Sequence, residues 1–576
     1  MNADNIFWPG IDPGMYRISN ESIEPLILNR PVDVSAIIAS SGLEHRHHLT
    51  DYINRYKKFR EFSAGVVFPS IVVAADNIKI RGSMIAIEDK FLINGPAGLR
   101  IVTRMSHASN IERQRKLDEV VSSFTERRRE NGMALPLLQP TDLDLDFVVV
   151  TKNLFNYFHF TRETIPSLTL YQNYNLTGKI VICSKNSTTF GFVHQQIKLF
   201  FPELVDRVEF SYGEFASPRA LLPLDSRFLY FQSSEACMPA LGSIAKVSWM
   251  WEDRVLGERS LKTLGMNSCE TSLLAFRELV LKKVESKSDP EPQEPLRLYV
   301  GRRPSKRLRP VKQEELLIEV LQGIGFKVIY FEDHDVLTQA QLVSKAEVIV
   351  MAHGAGMTNM LYAQPGCLVV EISTLQTALL RFGDFNPIAL ASQARYVHFF
   401  IDHDWPNQES IPNFEKFSLV GSKFDGDGIS ILRSFILAHL DPERHGEKMS
   451  MAARLNDESK MEDLSDFLLR HFDSMLHEAH AHVWAANCAA FQKKSEDALR
   501  HLMRASRLAP QRQALLERAI ILAHRLNADS EFKSLATGYF RYHRDSAILF
   551  FEKRDWDATL YLEVPDPDVT TETSGH

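Results

Sequence analysis

Apolar and polar positions along the 576 residues change rhythm three times. Between residues 32 and 131, short β-rich runs (VSAIIAS, AGVVFPSIVVAA, SMIAIEDKFLI) alternate with polar turns and close in a charged stretch of helical period, IERQRKLDEVVSSFTERRRE. This predicts an irregular α/β start. After a polar loop the alternation becomes regular: strand DFVVV, helix NYFHFTRETIPSLTLYQ, strand KIVICS, helix TTFGFVHQQIKLFF, strand RVEFS. Strand–helix alternation of this kind predicts a parallel sheet. The segment ESKSDPEPQEP at 285–295 carries three prolines and four acids and reads as an extended linker. A second alternating series follows, from LRLYVG through QEELLIEVLQGI, FKVIYFE, TQAQLVSKA, EVIVMA, the turn HGAGMTN and CLVVEIS. From Met461 the pattern is helical and Ala-rich, and Ala498, Leu502, Ala505 and Pro510 match the second half of a tetratricopeptide repeat.

The expected organisation is therefore an N-terminal α/β domain over 1–284, a linker over 285–295, a second α/β domain over 296–445, a helical tail over 446–562 and a disordered polar end over 563–576. Sixty-six basic against 73 acidic residues give a net charge of −7, which argues against nucleic acid as a partner. Five scattered cysteines without a C-x-x-C suggest neither a disulfide framework nor a zinc knuckle. The polar N-terminus lacks the apolar core of a secretory leader, and no apolar run is long enough to span a bilayer, so a cytoplasmic protein, peripheral at most to the inner membrane, is expected.

The richest stretch for chemistry is EVIVMAHGAGMTN. An apolar strand that empties into His353, Gly354, Ala355 and Gly356 ahead of a helix presents backbone N–H groups where α/β sheets bind ligands, and phosphate is the natural guest. Thr358 and Asn359 are candidates to cap that helix or bond the ligand, and Glu371, ending the next strand, to accept from a ribose diol. The basic run YVGRRPSKRLRP supplies Arg302 and Arg303 for forked contacts to a diphosphate. In NYFHFTRETIP, Asn156, His159 and Glu163 share one helix face, a general base with an orienting partner.

Other patterns have plainer readings. Asp142, Asp144 and Asp146 precede an apolar strand instead of following one and read as a polar strand start. HGAG has no G-x-S-x-G elbow to make it part of a serine hydrolase, and no P-loop or strand-linked G-x-G-x-x-G occurs. His45, His47 and His48, and likewise His477, His480 and His482, read as solvated surface histidines, and no metal site is expected.

Three blocks, NYFHFTRETIP, YVGRRPSKRLRPVKQEELL and GFKVIYFEDHDVLTQAQLVSKAEVIVMAHGAGMTNMLYAQPGCLVVEIS, resemble glycosyltransferase family 61 in order and spacing over about 146–373. The resemblance implies an inverting GT-B type transferase: two Rossmann-like domains facing a cleft, the C-terminal one holding the nucleotide-sugar, here expected to be a UDP-sugar. The implied acceptor is a glycan or lipid-linked hydroxyl, in surface polysaccharide synthesis for a bacterial-type member, with no further cofactor required. Carried over by position, His159 and Glu163 are the catalytic candidates and Asn156 lies in their block. Arg302, Arg309, His353, Gly354, Ala355, Gly356, Thr358 and Asn359 are the donor-binding candidates. The family's usual Asn ahead of the acidic helix start is replaced by Lys312 followed by Gln313. Two rival readings follow from the residues: an inactive scaffold that recruits protein partners through the helical tail, and a metal-dependent transferase using Asp142 and Asp144.

Overall fold

The structure, a computed structural model, describes residues 5–59, 61–62, 64–94, 135–138, 142–225, 265–287, 295–303, 309–407 and 410–562. The charged stretch at 111–130, most of the expected linker and the end at 563–576 lie outside the described residues.

The first alternating series builds three parallel strands, Phe147–Val150, Ile180–Ser184 and Val208–Tyr212, as its rhythm predicted. They extend a nine-stranded mixed sheet in which the long strands Ser70–Arg81 and Glu214–Asp225 pair antiparallel. Phe147 and Val149 pack on one side of it and Val148 and Val150 on the other, each into a separate buried cluster, because successive side chains of a strand alternate between faces. The long predicted helix is two short ones, Tyr157–Glu163 and Ser167–Asn173, divided at Pro166, whose ring cannot continue the first helix's hydrogen bonding.

The second series builds a six-stranded, all-parallel sheet. Its spatial order is Phe326–Tyr330, Leu296–Gly301, Ala346–Ala352, Leu368–Ser373, Arg395–Phe400 and Val34–Ile38. The chain leaves Leu296–Gly301 to one side, returns, and continues on the other, so the strand order reverses between Leu296–Gly301 and Ala346–Ala352. The carboxyl ends of those two strands, at Arg302 and His353, flank the reversal point.

The sixth strand corrects the expected boundaries. Val34–Ile38, expected in the 1–284 domain, pairs parallel with Arg395–Phe400 and completes the second sheet. The following helix Leu43–Phe59 packs its Leu49 and Tyr56 against Leu375 and Phe382. No local pattern separates a strand of one sheet from a strand of the other. The two sheets also share one buried cluster: Phe147, Ile180 and Leu221 of the first and Leu298, Ile349 and Val369 of the second are joined through the helices between them.

The chain after Met461 is helical as predicted, with Ala498, Leu502 and Ala505 buried on the helix Ser495–Leu508. The tail is bolted to the core. Arg507 donates to Ser40 O at 3.1 Å and pairs with Asp425 at 3.1 Å, and Arg504 holds Asp427 through Nε and Nη2. Arg541 pairs with Asp51 in a site where both side chains are 6% exposed, and Tyr542 lies 2.9 Å from His47 Nδ1. This overturns the reading of the first histidine cluster: His45 and His47 are buried, and burial together with Arg541 pushes His47 down to about 3, so it is neutral. No described helix is long and apolar enough to cross a membrane.

Candidate active site

The ligand-binding crevice of an open parallel sheet lies outside the carboxyl ends of its strands, at the point where strand order reverses. Here Arg302 follows one flanking strand and His353 the other. Arg302 Nη2 reaches across the reversal point to Ala352 O at 3.1 Å and to His353 O. A Cβ on Gly354 would sit 2.1 Å from that same nitrogen, so the glycine is required for the close approach of the guanidinium. Burial pushes Arg302 below its ordinary value, and Arg309 is pushed down to about 10 by burial and by the neighbouring charges of Arg302 and Arg381. Among the described residues Arg309 makes no hydrogen bond or ion pair, and Arg381 pairs with Asp384 at 3.9 Å. Arg309 thus feels the charge of two further guanidinium groups, whereas Arg302 has the carboxylates Glu332, Glu314 and Glu371 in its surroundings; an anion bound beside Arg309 would relieve that repulsion.

His353 is held from behind. Its Nδ1 lies 2.6 Å from Glu371 Oε1, which also accepts from Ser373 Oγ at 2.8 Å, while Oε2 accepts from Tyr396. The sheet dictates this cluster: Glu371 and His398 are register partners on adjacent strands, Val369 and Tyr396 are partners two residues earlier, and residues two apart share a face. Burial pushes the Glu371 carboxyl up, but the His353 imidazole and the Ser373 hydroxyl outweigh burial and hold it below the ordinary carboxylate value. His398, stacked between Phe382 and Phe400, is pushed by burial down to about 4 and is neutral.

The second dyad stands on the helix Tyr157–Glu163. His159 Nδ1 lies 2.9 Å from Glu163 Oε2, as their spacing of four predicts, with the two side chains 15% and 27% exposed. Asn156 caps this helix by accepting from Phe158 N at 3.0 Å, and Arg162 anchors it to the buried Glu270. Tyr157 donates to Asn359 Oδ1 at 2.7 Å, which ties the dyad's helix to the helix Ala355–Tyr362 that follows the glycine turn. Phe385 touches both sides, its ring centroid 5.4 Å from Phe158 and 5.5 Å from His353. Phe158 in turn meets the His159 ring edge-on.

The expected site residues therefore divide. Arg302, Arg309, His353, Gly354, Ala355 and Gly356 gather at the reversal point, and His159 and Glu163 form a dyad on the adjoining helix. Four others differ from expectation. Glu371 is 1% exposed with both oxygens engaged, so it anchors His353 and is closed to a ribose. Arg303 lies on the Tyr330 ring and pairs with Asp333 at the surface, turned away from the cluster. Thr358 and Asn359 are buried and bond Ala355 O and Gln339, shaping the turn from inside. Lys312 pairs with exposed geometry to Asp404, and Gln313 takes a left-handed φ of 66° at the helix start, a conformation that Asn adopts more readily. Arg381 and Phe385 were not legible, since no motif surrounds them; their one signal is position, just after the strand that carries Glu371. Asp142 and Asp144 lie at the amino end of their strand, where Asp142 accepts from Asp144 N and Asp144 from Thr177.

Cationic groups at the reversal point of a parallel α/β sheet, with a histidine–carboxylate dyad beside them, are an arrangement suited to phosphorylated or nucleotide-linked ligands. Residues 157–370 match the Glycosyltransferase 61 family, so this segment of the chain is similar to that family. The matched span begins at the dyad's helix and ends at the residue before Glu371, enclosing both catalytic candidates, Arg302, Arg309 and the His353 turn. No curated protein matches the chain.

Proposed function

We propose that the protein is an inverting glycosyltransferase of GT-B type that moves a sugar from a UDP-sugar to a hydroxyl of a glycan or glycolipid acceptor in surface polysaccharide synthesis. The observation that carries this reading is the cluster of Arg302, Arg309 and Arg381 beside His353 at the reversal point, where a diphosphate supplies the missing negative charge. In this reading the second sheet, completed by Val34–Ile38, holds the donor and the first sheet carries the acceptor side.

The dyad's geometry suits a base. With His159 Nδ1–H donating to Glu163, Nε2 is left to take a proton, and the carboxylate stabilises the imidazolium that forms. The acceptor oxygen attacks the anomeric carbon as its proton passes to His159 Nε2. The bond from that carbon to the diphosphate breaks, and the electrons leave with the β-phosphate. The guanidinium groups, His353 and the amides of the turn's first residues stabilise the growing charge in a preorganised setting. One displacement inverts the anomeric centre. The cationic cluster supplies the charge that a divalent metal supplies in other transferases, so this reading calls for none at the donor site.

The test is UDP release from a panel of UDP-sugars with saccharide acceptors, with the anomeric configuration of the product read by NMR. The expected result is inversion, with turnover lost in Glu163→Gln while nucleotide affinity is kept. Retention of configuration, or turnover indifferent to Glu163→Gln and His159→Gln, contradicts the mechanism; nucleotide binding without any transfer favours the scaffold.

A further inference from the structure

His445 stands in the first turn of the helix Pro442–Asp457, while His477 and Glu478 lie immediately before the helix Ala479–Phe491, 32 residues later in the chain. The fold brings them together. His445 Nε2 is 3.2 Å and His477 Nε2 is 3.3 Å from the same oxygen, Glu478 Oε1, and the ligand atoms of all three residues lie within 4.8 Å of one another. For ligands about 2.0–2.2 Å from a tetrahedral ion, neighbouring donor atoms are separated by about 3.3–3.5 Å, so both observed separations match edges of such a tetrahedron. The three side chains are 16%, 10% and 34% exposed, enclosed enough to hold an ion and open enough to admit one.

The surroundings of His477 fit the pattern, while the buried Nδ1 of His445 has no hydrogen-bond partner. His477 Nδ1 lies 2.8 Å from Ser434 Oγ on the helix Gly426–Leu440, which fixes the ring so that Nε2 faces Glu478. Metal-bound imidazoles characteristically engage their other nitrogen in this way. Phe435, one residue on, meets the His477 ring edge-on and closes its apolar side. Lys448, one turn beyond His445, bonds Ser474 Oγ at 3.1 Å. Two imidazoles and one carboxylate suit zinc and its neighbours in the first transition row, whereas magnesium and calcium demand oxygen ligands.

We propose that His445, His477 and Glu478 form a divalent transition-metal site, of the zinc class, with a water in the fourth position. Its place in the fold makes it a staple: it joins the helix Pro442–Asp457 to the loop between the helices Met461–His471 and Ala479–Phe491. It is independent of the donor-site chemistry, and chelation acts through stability without touching the transfer step.

The test uses the full chain, free of any affinity tag and stripped with a chelator. Co2+ is titrated by visible absorption, followed by competition with Zn2+ and Mg2+ and by melting curves. The expected result is one equivalent of Co2+ with the intense d–d bands of tetrahedral coordination, displaced by Zn2+ and unaffected by Mg2+. Saturating Zn2+ raises Tm by roughly 5 °C. The double variant His445→Ala/His477→Ala loses the bands and the Tm rise. Glu478→Gln, which keeps the side chain's volume and serves if the double variant does not fold, lowers Co2+ affinity at least about tenfold. Absence of tetrahedral bands in the wild type, or bands of equal affinity in the folded variants, overturns the proposal and leaves a hydrogen-bonded cluster only.

Discussion

His159–Glu163 and His353–Glu371 use the same two side-chain types at 2.9 Å and 2.6 Å, yet their surroundings differ. Glu163 pairs with His159 on a short helix and keeps 27% of its side chain exposed, whereas Glu371 is 1% exposed and meets His353, Ser373 and Tyr396. An accessible dyad can accept a proton from a substrate and pass it on. A buried dyad with every oxygen engaged cannot, and its work is to fix one imidazole beside the cationic cluster. Chemistry is set by what surrounds a residue pair, since both pairs have the same composition.

The comparison breaks most sharply on stability. Glu371→Ala leaves two imidazoles and two hydroxyls around a buried void, and the expected cost is about 3–5 kcal/mol, measured by urea unfolding. Glu163→Ala, at a partly exposed helix position, is expected to stay within about 1 kcal/mol. Equal costs would erase the distinction. The next effect is kinetic: Glu163→Gln is expected to lower kcat by about 100- to 10,000-fold at unchanged nucleotide affinity, the range for loss of general base catalysis.

Acid sharpens the contrast through the buried histidines. His398 in the Glu371 cluster is pushed down to about 4, as is His482, and His47 and His403 to about 3, in each case chiefly by burial. Between their ordinary value near 6.5 and these lowered values the unfolded chain takes up a proton that the folded one refuses. Stability is therefore present above about pH 6.5 and falls as pH falls, by about 1.4 kcal/mol per pH unit for each such histidine. Urea unfolding at pH 5 and pH 7 measures this slope, and His398→Gln is expected to flatten it. Glu371, held below its ordinary value, works in the same direction at lower pH, its contribution lost as pH falls through the folded value.

The smallest predicted effects separate binding from proximity. Gly354→Ala displaces the Arg302 guanidinium, since the new Cβ would lie 2.1 Å from Nη2, and is expected to weaken nucleotide binding about tenfold with little loss of stability, because a flexible side-chain end gives way.

Much of the fold was legible because hydrophobic period reports burial directly. Both parallel strand sets and the helical tail follow from it, and the dyad follows from a spacing of four on one helix face. What was not legible depends on partners distant in sequence. Val34–Ile38 reads as a strand, but nothing local says that Arg395–Phe400 is its neighbour. Glu371 reads as the end of a strand, and only the register with Tyr396 and His398 shows that it faces a closed cluster. The histidines at 45 and 47 look solvated until His403 packs on the first and Tyr542 of the tail meets the second. Arg302 and Arg303 are adjacent in sequence and opposite in role, because successive residues leaving a strand point different ways: one reaches across the reversal point and the other lies on Tyr330.

That last pair gives the most direct test of the central claim, that the guanidinium cluster at the reversal point is the donor diphosphate site. UDP binding is measured by calorimetry on the wild type, Arg309→Gln and Arg303→Gln. The expected result is binding to the wild type, a loss of about tenfold or more in Arg309→Gln, and wild-type affinity in Arg303→Gln, whose partner Asp333 lies outside the cluster. Equal affinity in all three proteins, or no binding of UDP at millimolar concentration to the wild type, would contradict the account.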